Sequence, residues 1–196
     1  MFNHLLSLVL ACAIALPALG QSESAQIKTM LQTRDAQIKK ALGTSGSLSA
    51  AQKDEVKQLV NGAISFNAMS EAVLGPHWAD LTPTQRTEFV EVFAQIVREQ
   101  SLADLEPYRA KVSYGDVEVS GTKATARTTA SVKNVTTTVA YQLAKINGDW
   151  KVTDISLDNV STVEGYARSF RNVIRKRGFE TLMKSLNRRL EKMTQK

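Results

Sequence analysis

Apolar residues recur with two different periods along this chain, and the change of period divides it into three blocks. In residues 24–42 the apolar members are Ile27, Met30, Leu31, Ile38 and Leu42, a helical set ended by Gly43-Thr-Ser-Gly46. Ser49 and Gln52 have the spacing of a capping box, in which each side chain satisfies the other residue's backbone N–H. The box predicts a second helix running to about Ile64. Residues 66–74 form a short helix stopped by Gly75-Pro76. Thr82-Pro83-Thr84-Gln85 repeats the box with proline at the first helical position. Behind it Phe89, Val92, Phe93, Ile96 and Val97 fall at i, i+3, i+4, i+7 and i+8, one continuous stripe. That helix should end near Leu105, ahead of Pro107.

The period then falls to two. Residues 111–120, 122–133, 135–146 and 150–158 read as four strands rich in Thr, Val and Ala. Ala124, Ala126, Thr128, Ala130 and Val132 make one face of the second strand, and Thr125, Arg127, Thr129, Ser131 and Lys133 the other. Asn147-Gly148 is a hairpin turn, and Gly121 turns the first pair. The helical period then returns. Val163, Tyr166, Phe170, Val173 and Ile174 form one stripe, Gly178 breaks it, and Phe179, Leu182, Met183, Leu186, Leu190 and Met193 form the next. Helices, an antiparallel meander and helices again describe an α+β domain with helices on one face of a sheet of about four strands.

The first twenty residues stand apart. An apolar run over 5–16 is broken by Pro17, and Ala18 and Gly20 place small residues at −3 and −1 before Gln21. This is the pattern of a cleavable secretory signal peptide, residues 1–20, too short for a transmembrane helix. The opening Met-Phe-Asn-His lacks the usual Lys or Arg. A lipoprotein reading at Cys12 would leave an apolar core of about half the usual ~7–15 residues. The rest, 21–196, is the size of one domain.

Cys12 is the sole cysteine and leaves with the leader, so disulfides, thiol nucleophiles and thiolate metal sites are excluded from the mature chain. His77 is then the only histidine, which argues against a zinc site or a catalytic triad. Phosphate-loop, GxSxG, HExxH and GxGxxG motifs are absent. Asp80, Asp116, Glu118, Asp149, Asp154 and Asp158 read as solvated turn and strand-end carboxylates. Asn134-Val-Thr136 and Asn159-Val-Ser161 match glycosylation acceptors, a low-specificity pattern. These features point away from an enzyme and imply no metal. A secreted hydrolase would need a nucleophile that the sequence does not offer.

Charge is concentrated at one end. Residues 168–196 hold ten Lys or Arg against Glu180 and Glu191, so this segment carries the net positive charge of the chain. Three readings fit it: a solvated helix face, a phosphate-contacting nucleic-acid surface, or a surface for anionic headgroups or an acidic partner. A secretory leader and the lack of a recognition motif argue against nucleic acid. Each Lys or Arg near an anionic membrane is worth roughly 1 kcal/mol.

The apolar faces raise a second alternative. The strands carry small side chains, whereas the helices carry Phe89, Phe93, Tyr166, Phe170 and Ile174. Large against small describes interdigitated core packing. It equally describes a long apolar cavity between sheet and helices, and periodicity does not choose between them.

One ordered set of residues is recognisable. Leu74-Gly75-x-x-Trp78-x-x-Leu81-Thr82-x-x-Gln85-Arg86-x-x-Phe89-x-x-x-Phe93 resembles the MlaC (toluene-tolerance, Ttg2-type) family of periplasmic phospholipid-binding proteins. So does Asp149-Trp150-Lys151-Val152-x-Asp154-Ile155, followed by Asn159-Val160-Ser161-x-Val163-x-x-Tyr166-x-x-x-Phe170 and by Gly178-Phe179-x-x-Leu182-Met183-x-x-Leu186. The resemblance covers nearly all of the mature chain. It departs where the family usually shows Gly-Val-Ser-Leu-Val-x-Asn-Tyr-Arg: Asn159, Thr162, Gly165 and Ala167 stand in place of the Gly, Leu, Asn and Arg, and a positive charge reappears at Arg168.

The resemblance implies an NTF2-like fold with a deep apolar pocket for acyl chains and no catalysis. It implies no cofactor other than phospholipid carried as cargo. It implies a monomeric shuttle in the periplasm between an inner-membrane ABC transporter bearing an MCE-domain subunit and an outer-membrane lipoprotein–porin complex, maintaining outer-membrane lipid asymmetry. A hopanoid-associated sibling carrier, or a non-carrier interaction module of the same fold, remains an alternative. By apolar face and family position, the expected lipid-binding residues are Phe66, Met69, Leu74 and Trp78, then Phe89, Phe93 and Val97 on the stripe. Val139 and Tyr141 join them from the sheet, and Val160, Val163, Tyr166, Phe170 and Ile174 from the strand-to-helix junction onward. Arg168, Arg171 and Arg175 are the expected headgroup or partner contacts. The physical need is plain. At ~0.8 kcal/mol per methylene, a sixteen-carbon chain exposes roughly 13 kcal/mol of apolar surface to water.

Overall fold

A computed structural model describes residues 18–43, 48–133 and 135–195, with the backbone alone described for 18–22. Six α-helices and five strands follow in the order α1 (Ala18–Leu42), α2 (Ala50–Gly62), α3 (Phe66–Leu74), α4 (Pro83–Leu102), β1 (Lys111–Ser120), β2 (Lys123–Val132), β3 (Val135–Ile146), β4 (Asp149–Leu157), β5 (Val160–Ser161), α5 (Thr162–Arg177) and α6 (Phe179–Thr194). The fold is α+β, as the change of period predicts. The leader expected at 1–20 and its Cys12 lie outside the described residues, except that Ala18–Gly20 already belong to α1. Among the described residues, no helix is long and apolar enough to cross a membrane.

Both capping boxes form. Ser49 accepts from the Gln52 N–H while the Gln52 side chain accepts from the Ser49 N–H, and Thr82 and Gln85 do the same at α4. Two ends differ from expectation. Helix α2 stops at Gly62, because Ala63–Ser65 leave it to pair with β4: Val152 N donates to Ala63 O and Ser65 N donates to Val152 O. Helix α4 stops at Leu102, and the chain passes into a 3₁₀ turn over Glu106–Arg109 that holds Pro107.

The sheet is an antiparallel meander in chain order, β1-β2-β3-β4-β5. Its fifth strand, two residues long, was beyond the reach of a period-two pattern. At the β3–β4 turn Asn147 and Gly148 both have positive φ, 52° and 90°, the conformation the Asn-Gly dipeptide favours. On β2 the predicted face is the inner one: Ala124, Ala126 and Thr128 are buried. Their cross-strand partners Leu143, Tyr141 and Val139 share that face.

Three buried clusters form rather than one. The first is a helical bundle core of Met69, Val73, Leu74, Leu81, Phe89, Val92, Phe93, Ile96, Phe170, Leu182, Met183 and Leu186. The second joins the sheet to α1 and the end of α2 through Ile27, Ala63, Ala124, Ala126, Leu143, Trp150 and Val152. The third ties α1 to α2 through Ile38, Ala41, Leu42 and Val56.

Candidate functional site

The helices around the first cluster are fixed by a few polar locks. Gly75 ends α3 at φ +56°, a left-handed geometry that suits glycine, and the Arg171 guanidinium of α5 lies over it. Arg171 donates from Nε to Val73 O at 2.9 Å and from Nη2 to Ala72 O at 2.6 Å, capping the exposed carbonyls of α3 with a cation. Asp154, read from sequence as a solvated strand-end carboxylate, has a structural duty instead. Its Oδ1 accepts from the backbone N–H groups of Ile155 and Val163, and its Oδ2 accepts from Ser161 Oγ at 2.5 Å. Ser161 Oγ in turn accepts from Glu164 N, so β4 holds the first turn of α5.

Between the bundle and the sheet, Ile64 packs against both clusters. Phe89 and Phe93 stack at 5.5 Å between ring centroids, and Phe170 meets Phe93 edge-on at 6.0 Å. Tyr166 meets Phe93 edge-on at 5.0 Å, with its hydroxyl donating to Gln100 Oε1. Met69, Leu74, Phe89, Phe93 and Phe170 are thus enclosed by other side chains of the bundle. Ile174, Val97 and Val163 are half-buried at its margin, and Trp78 is half-buried under the Arg86 guanidinium, 5.4 Å above its ring. Phe66 is buried outside the clusters, with the Arg98 guanidinium 4.7 Å above its ring.

The sheet side is less buried toward one end of β2 and β4. At the end beneath α1, Leu143, Val152 and Trp150 are buried. Tyr141, on the same face of the same central strand, is half-buried, and so are Ala130, Val132, Thr137 and Ile155. Val139 is screened from solvent yet belongs to none of the three clusters. Burial pushes the Tyr141 hydroxyl pKa up, and the Asp35 carboxylate adds to the effect. Burial also raises Tyr108 and Tyr114, the latter again with Asp35 nearby. At the far end of this face Val135, Leu157 and Val160 are 66%, 52% and 65% exposed. The register puts all three on the inner face, because Val135 pairs with Val132, Leu157 with Val139 and Val160 with Leu157. A row of three apolar residues at the mouth of an inward face is unusual on a water-soluble surface.

Of the expected set, Val97, Val163 and Tyr166 pack at the margin of the bundle cluster, Val139 is buried outside the clusters, and Val160 is exposed beside Leu157. Met69, Leu74, Phe89, Phe93 and Phe170 lie within solid protein. Of the expected cationic contacts, Arg171 is committed to α3, Arg175 donates to Asn172 Oδ1 on its own helix, and Arg168 is exposed. Arg168 also does not stand in for position 167: Ala167 is buried, and one residue on an α-helix turns the side chain by about 100°.

A groove of about 1050 Å³ lies between the last turns of α4 and α6. Leu102, Ala103 and Met193 line it together with Glu99, Arg188, Arg189 and Lys192. The Arg189 guanidinium lies beside the Tyr166 hydroxyl and lowers its pKa against the larger upward push of burial. Sequence reading assigned Arg189 and Lys192 no role, because a charge on an amphipathic helix gives no sign of which neighbour it faces. Among the described residues no cluster of His, Cys, Asp or Glu is arranged to hold a metal.

Comparison with known proteins finds matches in a family model and among solved structures. The family model for MlaC protein matches residues 22–188. A solved structure of the phospholipid-binding protein from Ralstonia solanacearum, in complex with a phospholipid, superposes with a TM-score of 0.70 at 23% sequence identity, over 87% of this chain and 98% of that one. No curated protein matches.

Proposed function

Because this chain belongs to the MlaC protein family, we propose that it is a periplasmic phospholipid carrier, with the acyl chains between the inner face of the sheet and the α4–α5 junction. The observation that carries the reading is the interrupted core. A domain of this size ordinarily buries one contiguous apolar cluster. Here Ala130, Thr137 and Val139 on the inner face of the sheet join none of the clusters, Tyr141 and Ile155 are only half-buried against the second, and the face ends in exposed Val135, Leu157 and Val160. Small side chains on β2, at Ala124, Ala126, Thr128 and Ala130, supply the room. The cargo supplies the missing apolar contacts, at about 25 cal/mol for each Å² it removes from water.

The role is binding and delivery. The carrier moves phospholipid across the aqueous space between an inner-membrane transporter with an MCE-domain subunit and an outer-membrane lipoprotein–porin complex. Outer-membrane lipid asymmetry is the condition that such transfer serves. The resemblance of the Ralstonia protein in fold, and its bound phospholipid, support this reading.

Organic extraction of the purified protein followed by lipid mass spectrometry tests it. The expected result is phospholipid in near-stoichiometric amount. A lipid-free extract from folded protein, which also takes up no lipid from vesicles, would sink the carrier reading and leave the interaction module. A hopanoid in the extract would move the cargo assignment to the sibling branch.

A further inference from the structure

We propose that the groove between the C-terminal turns of α4 and α6 is a phosphate site that holds the phosphodiester of the bound lipid. The proposal rests on the carrier reading and adds a recognition element on α6 to it.

The charge balance of the groove singles it out. Arg188, Arg189 and Lys192 line it, and none of them has a carboxylate within 4.0 Å among the described residues. Its one acid, Glu99, is paired with Lys57 of α2 at 3.3 Å. A second groove of about 530 Å³ on the opposite flank of α6 shows the contrast: Glu88, Glu180 and Glu191 line it beside Lys184 and Arg188, so acids balance its cations. Arg189 and Lys192 are three residues apart on α6 and therefore point to one side. A guanidinium fork with an adjacent ammonium suits the oxygens of a phosphate.

Position ties the groove to the hollow. Its apolar floor is Leu102 and Met193. Gln100, between Glu99 and Leu102 on α4, accepts from the Tyr166 hydroxyl, and the Tyr166 ring packs on Phe93. Tyr166 lies about one helical turn from Val163, which is three residues after the exposed Val160 of β5. Gln100 and Tyr166 thus link the charged groove to α5, the helix that continues from the apolar rim. A lipid with its chains inside would place its first charged group in that groove.

The test compares two lipids with the same chains. Delipidated protein is loaded from vesicles doped with dioleoyl-phosphatidylglycerol or with dioleoylglycerol, which lacks the phosphate, and bound lipid is counted. The wild type should retain the phospholipid about tenfold better or more, the gain expected from charge-assisted hydrogen bonds. Arg189→Gln with Lys192→Gln should remove most of that preference and leave dioleoylglycerol retention unchanged, which also reports that the variant is folded. Lys176→Gln with Arg177→Gln, at the exposed end of α5, should behave as the wild type. Equal retention of the two lipids by the wild type, or an undiminished preference in the α6 variant, would overturn the phosphate site while leaving the carrier standing. Retention of neither lipid would overturn the carrier reading itself. A titration with inorganic phosphate separates the two sources of phosphate: its signals at Arg189 and Lys192 should appear in lipid-free protein only. Equal signals in lipid-loaded protein would assign the groove to a free anion and overturn the proposal.

Discussion

The α3–α6 bundle and the inner face of the sheet are both apolar, yet they are built on opposite terms. In the bundle, large rings meet large rings: Phe89, Phe93, Phe170 and Phe179 are all within 6.3 Å of a neighbour, and the first two are fully buried. On the sheet, Ala and Thr make up the inner face of β2, burial falls toward one end of β2 and β4, and the face ends in open Val135, Leu157 and Val160. Apolar character alone is therefore a poor guide to a ligand wall. The useful sign is an inward-facing residue that its own protein leaves half covered.

That contrast is broken most forcefully from the bundle side. Phe93→Ala removes a ring with protein on every side and should cost about 3–5 kcal/mol, as for other buried aromatics. Chemical denaturation measures it. The loss should be the same for lipid-free and lipid-loaded protein, because the ring serves the bundle rather than the cargo. A loss confined to the lipid-loaded form would make Phe93 part of the pocket after all.

The next effect tests what holds the bundle rigid beside the hollow. Arg171→Ala strips two charge-assisted hydrogen bonds from α3 and should cost about 1–3 kcal/mol. Gly75→Ala puts a methyl group 2.7 Å from Arg171 Nη2 at a φ of +56° and should cost a similar 1–3 kcal/mol. The double variant should cost less than the sum, since removing the guanidinium clears the space the methyl group needs. Strict additivity in thermal or urea unfolding would show that the two do not share one lock.

A smaller stability effect carries more information about function. Ala130→Phe adds a ring on the half-buried inner face, across from Val112 on β1 and Thr137 on β3. In a filled core such overpacking costs about 1–3 kcal/mol. Over a hollow the lipid-free protein should lose under about 1 kcal/mol by the same reasoning, while its capacity for phospholipid falls sharply. Full lipid capacity in the folded variant would mean that the chains lie elsewhere.

Sequence made most of the fold legible for identifiable reasons. Thr82 with Gln85, Ser49 with Gln52, the Asn147-Gly148 turn and the β2 alternation are local codes, and each formed as read. What failed was non-local. Ala63–Ser65 left the helical pattern because β4 offered Val152 as a backbone partner. Asp154 read as a solvated acid because nothing in its neighbourhood says that the start of α5 will fold back onto it. Phe93 and Tyr166 carry the same kind of apolar face in the sequence, although one is core and the other stands at the opening. Arg171 and Arg189 look alike as charges on amphipathic helices, but the first closes α3 and the second faces a groove.

The smallest stability change belongs to the rim. Val160 is 65% exposed and pairs only with Leu157 at the edge of the sheet, so Val160→Ser should shift unfolding by no more than about 0.5 kcal/mol, the range for exposed sites. If the exposed valine is surface like any other, transfer of fluorescent phospholipid between vesicles should not change either. If it lines the path by which chains leave the hollow, a hydroxyl there puts a polar group against passing methylenes, and transfer should slow while the amount of lipid bound at equilibrium stays nearly constant. The carrier reading expects the second result. An unchanged rate for Val160→Ser and for Leu157→Ser would place the exit away from this edge and confine the hollow to the interior side of Val139.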